Sequence, residues 1–246
     1  MGELIAVLSG KGGTGKTSVC AGLATALAAS GLRVLCIDCD VGLRNLDISL
    51  GLADTAALSF LDICRGDYSL SQATVHPQYP TLSFLTAPMN CTIESIDAAA
   101  FAAMANEARK SFDYILLDTP AGVDAGFRLT AACADRCILV TGPGPAAVRS
   151  ARQVGDLLEL MGMTNVRLLV NRVDKKMVSA MSVTVDDVMD EAGLPLLGVM
   201  PEDLQVTLAA ALGSPLLNYK PRSAAAQAFR RIAKRIQGLS QPIGLR

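Results

Sequence analysis

A glycine-rich segment near the amino terminus, SGKGGTGKTS at residues 9–18, contains two lysines, Lys11 and Lys16. The spacing G-x-x-x-x-G-K-[ST] from Gly10 to Thr17 is that of a phosphate-binding loop, whose glycines let backbone N–H groups face a phosphate chain. In such a loop Lys16 is expected to contact the β- and γ-phosphates, and the Thr17 hydroxyl to bind Mg²⁺. The pattern predicts nucleoside triphosphate chemistry but does not explain Lys11.

Carboxylates end two of the apolar runs in the sequence. Asp38 and Asp40 close RVLCIDCD, and Asp118 closes YILLD. Asp118 has the position of a Walker-B carboxylate, which orders Mg²⁺, although a helix cap or a turn would also use an aspartate there. Asp38 and Asp40 lie two residues apart, so their side chains are expected on one face. We assign Asp38 to metal-bound water and Asp40 to orientation of the attacking water.

The elements that must position these residues follow from the hydrophobic pattern. Short β-rich apolar runs alternate with longer amphipathic stretches, which predicts a three-layer, doubly wound α/β fold with a mostly parallel sheet between helices. Strands are expected at 4–9, 33–38, 82–87, 114–119, 136–141, 166–171 and 195–200. Helices are expected at 16–29, 94–110, 145–161, 182–192, 203–212 and 223–238. Because ligands bind at the carboxyl ends of such strands, the phosphate loop, the carboxylates and Asn171 should share one crevice.

Length and composition limit the remaining possibilities. The 246 residues, 51% apolar and 18% charged, suit one P-loop domain over 1–246. A formal net charge of -1 makes nucleic acid an unlikely partner. The start MGELIAVLSG leaves no room for a signal peptide, and no apolar run reaches the length of a membrane span, so we expect a cytoplasmic protein.

Cysteine and histidine offer little for metal binding. Cys36 and Cys39 have C-x-x-C spacing, but they lie in a strand-like run and no second pair exists. We therefore expect the seven cysteines to be buried free thiols, and we expect His76, beside Pro77, to lie in a loop. An iron–sulfur carrier is disfavoured because its C-terminal half would need another C-x-x-C pair.

Four motifs together resemble the MinD/ParA family of dimerising ATPases. They are the deviant Walker A loop KGGTGKTS, DCDVGLRNLD, DTPAG and MPEDLQV, at 11–18, 38–47, 118–122 and 200–206. The resemblance extends from about residue 3 to about residue 238. GLRNLD is typical of the MinD branch, whereas ParA partition ATPases usually have D-x-D-P-Q at this point.

The resemblance implies how the second lysine functions. In this family the equivalent of Lys11 crosses a two-fold interface and contacts the nucleotide phosphates of the partner subunit, much as an arginine finger does. It also implies that Asp40 positions water and that residues 40–47 and 118–126 are switches. The switch residues named on this basis are Gly42, Asn45, Asp47 and Gly122.

The same resemblance implies the cofactors ATP/ADP and Mg²⁺ and their contacts. The metal residues are Thr17, Asp38 and Asp118. The phosphate contacts are Gly12, Gly13, Thr14, Gly15, Lys16, Thr17 and Ser18, and the base-side contacts are Asn171, Arg172, Pro201, Glu202 and Asp203. Asn171 could alternatively close a turn.

The family also implies partners and a cellular role. We expect a homodimer with ATP, a protein adaptor or inhibitor of the MinC type, an activator, and a function in division-site placement. A flagellar-number-type regulatory switch and a ParA-like DNA-partition ATPase are the alternatives. MinD-like chains usually end in a short membrane-binding helix, but here LSQPIGLR (239–246) contains Pro242 and Gly244, so we expect at most peripheral attachment at the inner face of the cell membrane.

The predicted helix 223–238 leaves two interpretations open. Phe229, Ile232 and Ile236 form one apolar face, and arginines and lysines surround the other. A basic amphipathic helix can lie on anionic lipid, or it can dock its apolar face on the sheet.

Overall fold

The computed structural model describes residues 1–89, 91–174, 176 and 184–243. Its centre is an eight-stranded sheet with the order β3-β4-β2-β5-β1-β6-β7-β8. The strands are β1 Glu3–Leu8, β2 Val34–Asp38, β3 Thr74–His76, β4 Tyr79–Leu85, β5 Tyr114–Asp118, β6 Arg136–Thr141, β7 Val166–Val173 and β8 Leu196–Pro201. All neighbouring strands are parallel except β3 and β4.

Helices cover both faces of this sheet. They are α1 Lys16–Ala28, α2 Leu46–Leu50, α3 Phe60–Cys64, α4 Ala98–Ser111, α5 Ala125–Cys133, α6 Pro145–Leu160, α7 Val185–Ala192, α8 Leu204–Ala211, α9 Leu216–Tyr219 and α10 Ala224–Ile236. Alternate residues of β1 point to opposite faces: Ile5 and Val7 pack with α1 and α10, whereas Ala6 and Leu8 pack with α5 and α6. The predicted three-layer α/β fold is confirmed.

Several predicted boundaries were wrong. The helix predicted from 94 begins at Ala98, because the Asp97 carboxylate caps it by accepting a hydrogen bond from Ala99 N (2.8 Å). The helix predicted over 182–192 follows a capping box between Thr184 and Asp187, and residues 182–183 lie outside the described residues. Elements β3, α2, α3, α5 and α9 were not predicted.

Two predictions about side chains also need correction. His76 lies in β3 rather than in a loop, and its buried ring bonds the Leu50 carbonyl through Nε2 (2.8 Å). Burial lowers the pKa of His76, although the Leu50 bond partly opposes this effect. The cysteines are free, but Cys64, Cys91 and Cys133 are only partly buried, so the prediction of uniformly buried thiols was wrong for these three.

The C-terminal helix α10 docks on the sheet layer. Phe229 lies so close to α1 that a Cβ built on Gly22 would be 2.4 Å from its ring, and a Cβ built on Gly198 of β8 would be 2.6 Å from Ile232. Its apolar face is buried at Ala225, Ala226, Ala228, Phe229, Ile232, Ala233 and Ile236. This packing decides between the two interpretations of the helix, since the face that would enter lipid is covered by protein.

Within the described residues, no helix is both long and apolar enough to cross a membrane.

Candidate nucleotide site

The loop between β1 and α1 is shaped by glycines. Gly13 and Gly15 have φ values of 81° and 84°, a region that residues with a Cβ rarely adopt. Gly15 is the N-cap of α1, and a Cβ on it would lie 2.4 Å from Nδ2 of Asn171. The loop therefore exposes the amino end of a thirteen-residue helix, where free N–H groups and the helix dipole favour an anion.

Lys16 and Asp118 form a buried ion pair beneath this loop. Nζ of Lys16 lies 2.6 Å from Oδ1 of Asp118, and the two side chains are 7% and 1% exposed. Burial raises the pKa of Asp118, although the charge of Lys16 and hydrogen bonds from Lys16 and Thr17 act in the opposite direction. The structure thus brings together Lys16, Thr17 and Asp118, as the sequence predicted, with the lysine held by the carboxylate.

Asp38 connects the end of β2 to the following segment. Its Oδ1 accepts a hydrogen bond from Asp40 N (2.9 Å), and its Oδ2 accepts one from Leu46 N at the start of α2 (3.2 Å). Burial, followed by repulsion from Asp118, raises the pKa of Asp38 to about 7, and the two backbone bonds only partly oppose this. Asp38 and Asp118 therefore lie close enough to repel each other, and a cation bound between them would relieve this repulsion.

Asp38→Asn is expected to change how the stability of the metal-free protein depends on pH. Because the folded pKa is raised from 3.8 to about 7, the folded state holds a proton that the unfolded state has lost, and stability falls as pH rises between these values. The variant lacks this fall, so its free energy of unfolding relative to wild type should rise by about 3 kcal/mol from pH 5 to pH 8. Urea denaturation in EDTA measures the free energy of unfolding of both proteins at each pH. If the two free energies change in parallel with pH, the prediction is wrong.

Asp40 lies at the rim of the crevice and is half-buried. Burial raises the pKa of Asp40; Lys16 lowers it, and Asp118 and Asp124 raise it further. Asp124, the N-cap of α5, was missed in the sequence because α5 itself was not predicted. Lys11 is exposed and lines a recess of about 410 Å³ together with Gly12, Gly13 and Thr14 and with residues from the other side of the crevice.

The base-side residues are tied to the phosphate loop. Asn171 donates from Nδ2 to the Thr14 carbonyl (2.7 Å), so it closes the loop, as one interpretation proposed; its contact with a base stays a prediction. Arg172 has a φ of 58°, at a break in the β7–β8 register. Its guanidinium donates to both carboxylate oxygens of Glu202 (2.8 and 3.2 Å) and, at 3.4 Å, to the Gly13 carbonyl.

A recess of about 160 Å³ lies beside these residues. It is lined by Gly15, Ser18, Val19, Asn171, Arg172, Met200, Pro201, Glu202, Asp203, Val206, Thr207 and Phe229. Asp203 caps α8 through Gln205 N (3.0 Å) and also accepts from Ala225 N (3.0 Å), which fixes the start of α10. Sequence reasoning missed Phe229 here, because its apolar periodicity indicated only a helix face.

The two predicted switches are connected to the crevice by different hydrogen bonds. Gly122, with a φ of 99°, donates from its N–H to the Ser9 carbonyl (3.2 Å). Gly42 has a φ of 111°, and Asn45 is the N-cap of α2. Asp47 accepts from Ile48 N (2.7 Å) and lies 3.9 Å from the Arg44 guanidinium. The segment that contains Gly42, Asn45 and Asp47 is joined to the crevice by hydrogen bonds to Asp38 and to the Asp40 carbonyl.

The donor set fits Mg²⁺ and a phosphate chain. Thr17, Asp38 and Asp118 supply hard oxygen atoms, the type that Mg²⁺ prefers. Among the described residues, the buried hydroxyls of Ser9 and Thr14 have no hydrogen-bond partner, and both belong to the loop. A buried polar group without a partner is costly, so a ligand that bonds them is favoured here.

Comparison with known proteins gives consistent matches. The family described as CobQ/CobB/MinD/ParA nucleotide binding domain matches residues 5–216. The septum site-determining protein MinD of Synechocystis sp. is 37% identical over 244 residues, covering 98% of this chain and 92% of that protein. The MinC:MinD cell division protein complex of Aquifex aeolicus contains a chain with a TM-score of 0.90 and 33% identity, with 98% of each chain covered.

A second solved structure carries a nucleotide. MinD from Pyrococcus horikoshii, complexed with Mg-ADP, has a TM-score of 0.85 and 30% identity to this chain, with 96% of each chain covered. The resemblance that the four motifs indicated is thereby confirmed. From its phosphate loop through the last strand of its sheet, the chain belongs to the MinD branch of the MinD/ParA family of P-loop nucleotide-binding proteins.

Proposed function

We propose that this chain is a MinD-type ATPase that hydrolyses ATP to ADP and phosphate as a homodimer, and so switches a complex that places the division site. The observation that carries the proposal is the convergence of the phosphate loop, Asp38, Asp40 and Asp118 at the carboxyl ends of three adjacent parallel strands, β2, β5 and β1. Family membership supports it, since the relatives are MinD proteins over nearly their whole length.

The phosphate chain of ATP is bound by the loop in this proposal. The N–H groups of residues 12–18 face the phosphates. The ammonium group of Lys16 leaves its ion pair with Asp118 and pairs with the phosphates instead. The released Asp118 then lies with Thr17 and Asp38 as a site for Mg²⁺. The metal, when bound, neutralises developing charge on the β- and γ-phosphates. Asn171, Arg172, Pro201, Glu202 and Asp203 enclose the adenine in the 160 Å³ recess.

Asp40 orients the attacking water. Asp40 lies two residues after the end of β2 and is half-buried, and its backbone N–H donates to Asp38, so the metal-side residue holds Asp40 at the crevice. Residues 40–47 change position with the state of the nucleotide because Asp38 also holds Leu46 N. The half-exposed position suits a group that must contact water during the reaction.

Lys11 completes the site of the partner subunit. In one subunit it lies on an exposed rim and lines an open recess of about 410 Å³. The buried pair of Lys16 and Asp118 of the same chain is not part of the lining of this recess. Dimerisation across this rim brings it to the phosphates of the second nucleotide, and hydrolysis then depends on the dimer.

A partner of the MinC type is part of the proposal. The Aquifex aeolicus relative is described as a MinC:MinD complex, and the matched chain is 33% identical to this one. Division-site placement is favoured over the flagellar and DNA-partition alternatives, because the relatives that match nearly the whole chain are septum site-determining and cell division proteins. The apolar face of α10 is buried against α1 and the sheet, so this face is not available to enter a membrane in this structure.

Steady-state phosphate release against protein concentration tests the proposal. If catalysis needs two subunits, the activity per subunit rises with concentration until the dimer is saturated, and it requires Mg²⁺. Addition of a MinC-type protein should shift the mass of the ATP-bound form. Activity per subunit that stays constant over a thousand-fold range of concentration, or that persists in EDTA, would count against it.

A further inference from the structure

Three arginines line one cavity at the end of the sheet opposite the nucleotide site. Arg136 starts β6, Arg167 is the second residue of β7, and Arg235 lies in the last turn of α10. They border a recess of about 390 Å³, which we call the three-arginine cavity. The phosphate loop follows the carboxyl end of β1, whereas these strands begin at the cavity, and a strand of six residues spans about 20 Å. The two sites are therefore distinct.

The cavity carries a surplus of positive charge. Among the described residues, Arg136 has a carboxylate partner, Glu3, at 2.9 Å. Within the same residues, Arg167 and Arg235 have none within 4.0 Å. None of the described residues that line the cavity is an aspartate or a glutamate. Two cations thus face a common space without a counter-charge from the described part of the chain.

The donors of these arginines are used to different extents. Arg235 donates to backbone carbonyls of Leu197 (2.6 Å), Gln241 (2.9 Å) and Leu196 (3.3 Å), so it holds the end of α10 against β8. Arg136 donates from Nη1 to the Ile236 carbonyl (3.1 Å), but its buried Nε has no partner among the described residues. The hydrogen bonds of the Arg235 side chain, and some of those of Arg136, thus have a structural role, since they hold α10 in place.

Arg167 is not explained by such support. Its side chain is exposed at the cavity, and no hydrogen bond or ion pair joins it to another described residue. Asn165 and Ser240 add neutral polar groups to the lining, and Leu197 and Leu239 add apolar ones. The exposed guanidinium of Arg167 therefore has its hydrogen-bond donors free of other described residues, next to the partly buried Arg136.

We propose that the three-arginine cavity binds a phosphate group, with Arg167 as its main contact and Arg136 and Arg235 supplying further positive charge. The planar guanidinium matches phosphate oxygens in a bidentate arrangement, and two unbalanced cations match the charge of a phosphate dianion. The apolar part of the lining accommodates a substituent, so the phosphate belongs either to a small phosphoester or free phosphate, or to a lipid headgroup.

Thermal unfolding of the full chain tests this site. Inorganic phosphate is titrated against chloride of equal ionic strength, with Mg-ADP present to occupy the phosphate loop. Phosphate should raise the melting temperature of wild type. Arg167→Ala should weaken the apparent phosphate affinity about 10-fold or more, because a charged hydrogen bond is lost. Arg65→Ala, which removes an exposed arginine at the end of α3, should behave as wild type.

Vesicle sedimentation distinguishes the two sources of phosphate. Binding to phosphatidylglycerol vesicles but not to phosphatidylcholine vesicles, lost in Arg167→Ala, identifies a lipid headgroup. A phosphate response without sedimentation identifies a small phosphate ligand. Equal phosphate responses of wild type and Arg167→Ala, or the absence of both phosphate response and vesicle binding, overturn the proposal. The comparison of Arg167→Ala with Arg65→Ala holds even if the proposed ATPase function is wrong, because neither residue lies at the nucleotide site.

Discussion

Replacement of Lys11 by alanine is expected to lower ATP turnover by about 10³-fold or more, the range of an arginine finger in phosphoryl transfer. The side chain is exposed on the rim of the crevice, and the buried cation of the same subunit is Lys16, paired with Asp118. ATP affinity of the single subunit should therefore change little. Steady-state phosphate release and equilibrium nucleotide binding, measured on the same preparations, separate the two effects.

Lys110→Ala is the matched control for this variant. Lys110 is an exposed lysine in α4, with its side chain 68% exposed and paired with Glu107, and it lies outside the nucleotide site. Its turnover should equal that of wild type. If Lys11→Ala turns over ATP at the wild-type rate per subunit, the assignment of Lys11 to the partner's nucleotide is wrong.

Asp40→Ala is expected to slow hydrolysis about 10²- to 10⁴-fold while leaving ATP bound, because it removes only the group that orients the attacking water. Lys16, Asp38 and Asp118, which we propose hold phosphate and metal, stay in place. The variant should consequently accumulate as an ATP-bound dimer, visible by size-exclusion chromatography with ATP and Mg²⁺. Wild type should lose this dimer as its ATP is consumed.

The control for Asp40→Ala is Asp54→Ala, which removes an exposed carboxylate beyond α2. This variant should hydrolyse ATP at the wild-type rate, and its dimer should dissociate as the ATP is consumed. An Asp40→Ala protein that binds ATP but elutes as a monomer would exclude the assignment of Asp40 to water positioning, since the trapped state would then lack its partner.

The parts of the site nearest to regular strands were predictable from sequence. The phosphate loop and the carboxylates at the ends of β2 and β5 follow from spacing and from the placement of ligands at the carboxyl ends of parallel strands. The long strands and helices follow from periodicity, because both faces of this sheet are covered. The structure brings Lys16, Asp38 and Asp118 together at the predicted edge.

Features that depend on long-range contacts could not be predicted. Helix α5 is short, and its N-cap, Asp124, makes no side-chain cap bond, so the sequence did not indicate the helix. The effect of the Asp124 charge on the pKa of Asp40 was therefore not predicted either. The raised pKa of Asp38 depends on burial and on Asp118, eighty residues away. Arg136 and Arg167 reach one cavity because β6 and β7 pair side by side in the sheet, and that pairing is a contact between segments about thirty residues apart.

The mass of the protein in solution with a non-hydrolysable ATP analogue and Mg²⁺ tests the central claim most directly. Multi-angle light scattering should give twice the mass of one chain with the analogue and the mass of one chain with ADP, and Lys11→Ala should weaken the larger form. A single-chain mass under every nucleotide condition, at concentrations where the analogue is bound, would contradict an ATPase whose chemistry is completed by its partner.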